Sequence, residues 1–104
     1  MTGSYLNLLG LANRAGKCVF GEEQIIKDIQ HGQSKLVILA KDIGPQTKKK
    51  LTDKCKYYQI PYVFADDRDT LSHAVGKSSR VAISIQDSGF AKKLNALLGE
   101  TNRG

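Results

Sequence analysis

Apolar positions along this chain recur at two spacings, and the alternation between them outlines its elements. Tyr5, Leu8, Leu9 and Ala12 fall at helical intervals, with Ser4 placed to cap the first free amides and Gly16 to end the helix in a left-handed turn. This predicts a first helix over residues 5–15. KCVF, at 17–20, reads as a short strand. Gly21 then turns the chain into a second helix that faces Ile25, Ile26 and Ile29 inward and ends near Gly32. KLVILA, at 35–40, is an unbroken apolar run rich in β-branched residues, which suits a strand covered on both faces and places it at the centre of a sheet.

Pro45 stands at the first position of a third helix, with Thr47, Leu51, Cys55 and Tyr58 on one stripe and Lys48, Lys49, Lys50, Lys54 and Lys56 on the remaining faces. Pro61 closes the connection to the strand YVFA. A short helix over 70–75, the strand RVAISI and a last helix facing Phe90, Ala91, Leu94, Leu97 and Leu98 inward follow. GETNRG, at 99–104, reads as a frayed tail. Helices and strands that alternate at crossover spacings predict an α/β fold, a three-layer α/β/α sandwich with a four-stranded mixed sheet.

The 104 residues, 40% apolar with two prolines, suit one domain spanning 1–104 with its core over about 4–98 and no linker. No apolar run approaches the ~20 residues that cross a bilayer, and MTGSYLNLLG lacks the basic start and cleavage site of a signal peptide. The expectation is a cytoplasmic protein without a membrane partner. Sixteen Lys and Arg against ten Asp and Glu leave a formal charge of +6, and in a small domain that excess favours a polyanion.

Candidate chemistries narrow quickly. Cys18 and Cys55 form neither a CxxC nor a Cys/His cluster, which argues against a zinc site or disulfide framework and reads Cys55 as a buried thiol on an apolar helix face. HAVGKSS ends like a phosphate-binding P-loop, but Leu71 stands where the loop needs its first glycine. GLANRAGKC has one residue too many between Gly10 and Gly16, and Cys18 replaces the magnesium-holding hydroxyl. His31 and His73 read as surface histidines. Asp66, Asp67 and Asp69 precede a helix and suit its cap and dipole without an ion. No set of residues for acid–base or nucleophilic catalysis assembles, so no enzyme, cofactor, metal or small-molecule substrate is expected.

LANRAGKCVFGEEQIIKDIQHGQSKLVILAKD, with YYQIPYVF and LSHAVGKSSRVAIS, resembles the kink-turn-binding ribosomal protein family, and within it the small bacterial YlxQ-like branch of ribosomal-protein-like RNA binders. The similarity covers about residues 5–98. It implies the same sandwich and recognition of a kink-turn, a sharply bent duplex with a short bulge and tandem sheared G·A pairs. In that family the N-terminus of the second helix enters the major groove at those pairs, which the kink opens. The loop before the last strand covers an extruded nucleotide.

By resemblance the RNA-binding residues are Gly21, Glu22, Glu23, Gln24 and Lys27 of the helix opening, Val75, Gly76, Lys77, Ser78, Ser79 and Arg80 of the loop, and the flanking Arg14 and Lys17. Gly21 and Lys27 match the family's glycine and lysine. Glu23 stands where asparagine is usual and Gln24 where glutamate is, so carboxylate and amide have changed places. Lys77, Ser78, Ser79 and Arg80 stand where apolar residues often meet the extruded base. Glu22 and Glu23 also sit where carboxylates favour a helix dipole, and Glu22 reads foremost as a cap. The helix-three lysines are expected on a solvated face away from the groove-entering helix end, with a second contact to ribosomal RNA or another polyanion as the alternative. The partner implied is structured RNA, kink-turn or ribosomal, with a ribosome-associated protein that is monomeric when free. The rival reading is a protein-interaction adaptor that kept the fold and lost RNA specificity.

Overall fold

A computed structural model describes residues 2–102, with side chains from Tyr5 to Gly99. Its elements are α1 (Thr2–Arg14), β1 (Cys18–Phe20), α2 (Glu22–Gln30), β2 (Leu36–Leu39), α3 (Pro45–Tyr58), β3 (Tyr62–Phe64), α4 (Arg68–Ala74), β4 (Ala82–Ile85) and α5 (Ser88–Asn102). The strands lie in the order β1-β4-β2-β3. β4 runs antiparallel to both β1 and β2, and β2 runs parallel to β3, so the sheet is mixed.

The apolar run at β2 is explained by its position. Leu36, Ile38 and Ala40 point into a core closed by Tyr5 and Leu9 of α1, Leu71 of α4 and Leu94 and Leu98 of α5. Val37 and Leu39 point the other way, into a core with Ile25 and Ile29 of α2 and Leu51 and Cys55 of α3. Period-two alternation with both faces covered leaves no polar position in the strand. Tyr5 reaches across its core to donate a hydrogen bond to Asp66, and burial foremost, then that carboxylate, raises its phenol well above the ordinary range.

The outer ends of the first and last helices, and one helix face, differ from the sequence reading. α1 starts at Thr2, so Ser4 is inside the helix and does not cap it; its side chain lies outside the described residues. The C-terminus of α1 matches: Gly16, at φ 74°, lets Lys17 N–H reach Ala12 O (3.0 Å) and Gly16 N–H reach Asn13 O (2.9 Å), the paired bonds of a glycine-terminated helix. α5 continues to Asn102 where a frayed tail from residue 99 was expected, and residues 103–104 lie outside the described residues. Tyr58 leaves the inward stripe of α3 and is exposed, while Thr52 is buried and donates its hydroxyl to Lys48 O at 2.8 Å. Thr52 lies about 100° round the helix from Leu51, on the side of Cys55, so the buried face is centred away from Tyr58, which is the last residue of α3.

Cys55 is buried, and burial pushes its thiol up to about 11; Cys18 is pushed up to about 12 by the same cause. Asp67 caps α4 by accepting from Thr70 N–H at 2.8 Å, which together with the Thr70 hydroxyl lowers its carboxyl. His31 and His73 are exposed. Among the described residues no metal-binding cluster forms, and no helix is long and apolar enough to cross a membrane.

Candidate nucleic-acid interface

At the end of β1 the chain must leave the sheet and enter α2 without a linker. Gly21 does this alone, with φ 90° and ψ 135°, a conformation that a side chain disfavours. No side chain caps α2, so its first amides remain open to an outside acceptor. Ile25 and Ile29 fix the inward face of the helix. The opposite face then carries Glu23, Gln24 and Lys27, all exposed and related by three- and four-residue spacings that make them surface neighbours. No salt bridge to Lys27 forms among the described residues.

Below that face a buried polar cluster locks α2 to β4. Asp28 accepts from Ser84 Oγ at 2.6 Å and from Gln86 Nε2 at 2.6 Å, and Ser84 Oγ lies 2.7 Å from Ser34 Oγ. Both carboxylate oxygens are thereby satisfied, as a buried carboxylate requires. The residue before Asp28 is Lys27, so the same cluster fixes the turn from which the lysine projects.

The loop after α4 comes to the same corner. Ser72 is buried and its Oγ accepts from Arg80 N–H at 2.7 Å, while Lys77 N–H donates to Ser72 O at 3.0 Å, closing residues 72–80 into a compact turn. Ser79 sits at φ 55° in that turn. The turn sets the Lys77 ammonium 5.6 Å and the Arg80 guanidinium 5.5 Å from the Phe20 ring centroid, both in cation–π range. Phe20 immediately precedes Gly21, so two cations are stacked beside the open end of α2. Arg80 Nε is buried without a hydrogen-bond partner among the described residues. A cleft of about 210 Å³ lies between, lined by Gly21, Glu22, Thr47, Ser79 and Arg80.

Glu22 is held from the side. Its Oε2 lies 2.8 Å from Lys50 Nζ, and hydrogen bonds from Lys50 and then Thr47 lower its carboxyl below the ordinary range. This corrects the expected placement of the helix-three lysines: Lys50 is at the opening of α2, because α3 packs beside α2. Lys48 lies 5.1 Å over the Phe64 ring on the other flank, and Lys49 pairs with Asp53 at 3.1 Å. Sequence spacing gave no signal for Lys50 or Thr47, since their approach to Glu22 depends on how two helices pack.

Two flanking residues do not join the cluster. Lys17 stands at the opposite end of β1 from Gly21, where its carbonyl accepts from Gln86 N–H at 2.8 Å; four residues of strand put it about 13 Å away. Arg14 lines a separate groove between α1 and α4, beside Leu11, Thr70 and His73. Its neighbour Asn13 holds Val75 O at 3.0 Å, so Arg14 borders the base of the 75–80 loop and not the opening of α2. That groove is larger, about 720 Å³, and its lining sets Arg14 with Asp69 and His73 of α4.

An α/β/α sandwich with an uncapped helix end, an exposed polar face and two stacked cations defines a basic binding module. Similarity to known proteins specifies which. The model of the Ribosomal protein L7Ae/L30e/S12e/Gadd45 family matches residues 4–95, and the chain belongs to that family. It is 50% identical over 91 residues to the RNA-binding protein YlxQ of Bacillus subtilis (strain 168), covering 88% of this chain and 91% of that protein. It is 36% identical over 90 residues to the large ribosomal subunit protein eL8 of Thermoplasma volcanium, covering 86% and 74%. Among solved structures, a protein with unknown function from Bacillus halodurans C superposes with TM-score 0.89 at 52% identity, over 91% of this chain and 96% of that one. The Giardia lamblia 15.5kD RNA binding protein shares the fold, with TM-score 0.79 at 24% identity over 91% and 84%. Two of these proteins are named as RNA-binding and one as a protein of the large ribosomal subunit.

Proposed function

We propose that this protein binds structured RNA of the kink-turn kind and reads its tandem sheared G·A pairs with the N-terminal end of α2. One observation carries the reading: Glu23, Gln24 and Lys27 form a single exposed face at an uncapped helix end, beside Lys77 and Arg80 stacked on Phe20. The stacked cations supply attraction to phosphate without regard to sequence. Lys27 donates to guanine O6 or N7, and Glu23 and Gln24 meet exocyclic amines and ring acceptors. Glu22, tied to Lys50 and Thr47, shapes the site without reading a base. The Gly76–Arg80 loop and the cleft beside it receive an extruded nucleotide. Relatives named as RNA-binding and large-ribosomal-subunit proteins support a cytoplasmic, ribosome-associated role.

A mobility-shift titration against a kink-turn RNA and a copy with its G·A pairs disrupted tests this. Preference for the intact kink-turn is the expected result. Equal, weak binding to both would favour the adaptor reading.

A further inference from the structure

We propose that one flank of α3, running from Lys50 through Lys54 to Tyr57, is a second RNA contact that binds unpaired nucleotides adjoining the site at α2. The proposal rests on the reading of α2 as an RNA-binding end and adds a place and a chemistry to it. Lys50, Lys54 and Tyr57 are spaced i, i+4 and i+7, which puts them in one row on the helix surface. The row begins where Lys50 meets Glu22 at 2.8 Å, at the opening of α2, and extends roughly 10 Å along the α3 axis.

At its far end stands the most exposed large aromatic of the described residues. Tyr57 is 79% exposed, and the Tyr58 ring supports it edge-on with centroids 4.9 Å apart. An aromatic ring left in water at the end of a helix is unexplained by folding, because neither core includes it. Its surroundings select the partner. α3 carries five lysines and one aspartate, and that aspartate is already paired with Lys49. No ion pair to Lys54 or Lys56 forms among the described residues. Free ammonium groups beside a presented ring fit a single-stranded nucleic acid, which offers a phosphate and a π face at every residue, better than an apolar protein surface, which would leave the lysines desolvated and unpaired.

The geometry gives each group a task. A strand leaving the α2 corner passes a phosphate to Lys50, which exchanges part of its bond to Glu22 for it, then a second phosphate to Lys54, and lays a base on Tyr57. Stacking is tolerant of base identity, so this contact adds affinity and fixes the direction of the outgoing strand without adding base specificity.

Three probes test it: a kink-turn RNA with blunt ends, the same RNA with a single-stranded uridine extension, and the uridine strand alone. Wild type is expected to bind the extended RNA about tenfold more tightly than the blunt one. Tyr57→Ala removes that gain and leaves blunt-RNA affinity unchanged, Tyr57→Phe keeps it, and Lys54→Gln reduces it. The chain has no tryptophan, so its tyrosine emission can be followed directly, and the uridine strand alone should quench it in wild type and not in Tyr57→Ala. This last arm contains no G·A pairs, so it reports on α3 even if kink-turn preference fails. Kink-turn preference with no effect of Tyr57→Ala on either the extension or the quenching would overturn the α3 contact while leaving the α2 reading in place. Wild-type dimerisation that Tyr57→Ala abolishes without changing RNA binding would overturn it in favour of a second copy of the chain.

Discussion

Lys27 is exposed, carries no ion pair among the described residues, and projects from a turn locked by Asp28 to β4. A lysine held this way has a fixed base but a free head, which suits a guanine edge. Lys27→Ala is expected to weaken kink-turn binding by roughly 1–3 kcal/mol and to narrow the preference over the G·A-disrupted RNA. A uniform loss on both RNAs would make it a phosphate contact. Glu23 and Gln24 are exposed neighbours of Lys27, in the reverse order of carboxylate and amide from the pattern the family suggests. Exchanging them, Glu23→Asn with Gln24→Glu, keeps net charge constant and should raise kink-turn affinity by about 1 kcal/mol, with no gain on the disrupted RNA. A Tm shift without an affinity change would reduce both residues to helix-end electrostatics. At this scale the sequence was informative about residue type and poor about neighbours. Gly21 and Lys27 were legible because helix entry and helical spacing are local. Lys17 stands apart from Gly21 because adjacency in sequence becomes distance when the intervening residues form an extended strand.

The loop from α4 to β4 owes its shape to one buried side chain. Ser72 Oγ satisfies Arg80 N–H, and removing it strands that donor. Ser72→Ala should cost roughly 1–3 kcal/mol of stability by denaturant titration and weaken RNA binding beyond what the stability loss explains, because Lys77 and Arg80 then lose their fixed seats over Phe20. Unchanged RNA affinity would show that the loop's shape is not used. Between α2 and α3, Glu22 titrates below its ordinary range when folded, chiefly through Lys50 and then Thr47. The tether is therefore present at neutral pH, above the unfolded value, and is lost as pH falls through the depressed folded value. Lys50→Gln should leave the Glu22 carboxylate unpaired beside incoming phosphates and weaken binding to both RNAs, with Glu22→Gln in the same chain recovering part of the loss. No recovery in the double variant would remove Glu22 from the site's electrostatics. The elements themselves were nearly all legible, since β2 announces its double burial and the helices their stripes. The meeting of α2 with α3 was not, because packing angle is absent from any single helix's periodicity.

The whole molecule is a basic sandwich whose sheet brings the end of β1 and the start of β4 side by side, with Phe20 opposite Ile83. That pairing explains why two segments more than 50 residues apart, the α2 opening and the 75–80 loop, share one corner. Class and layers followed from alternation alone. Strand order did not, because β1 and β4 are joined only through the tertiary fold. On the proposed function this corner separates base reading from charge attraction, and the most direct measurement is the affinity of the wild-type protein for intact and G·A-disrupted kink-turn RNA across a series of salt concentrations. Both affinities should fall together as salt rises, since phosphate contacts by Lys77, Arg80 and the α3 lysines are common to both RNAs, while the ratio between them stays well above one. A ratio that is near one at every salt concentration, with binding lost as charge is screened, would contradict the claim and leave only a basic surface.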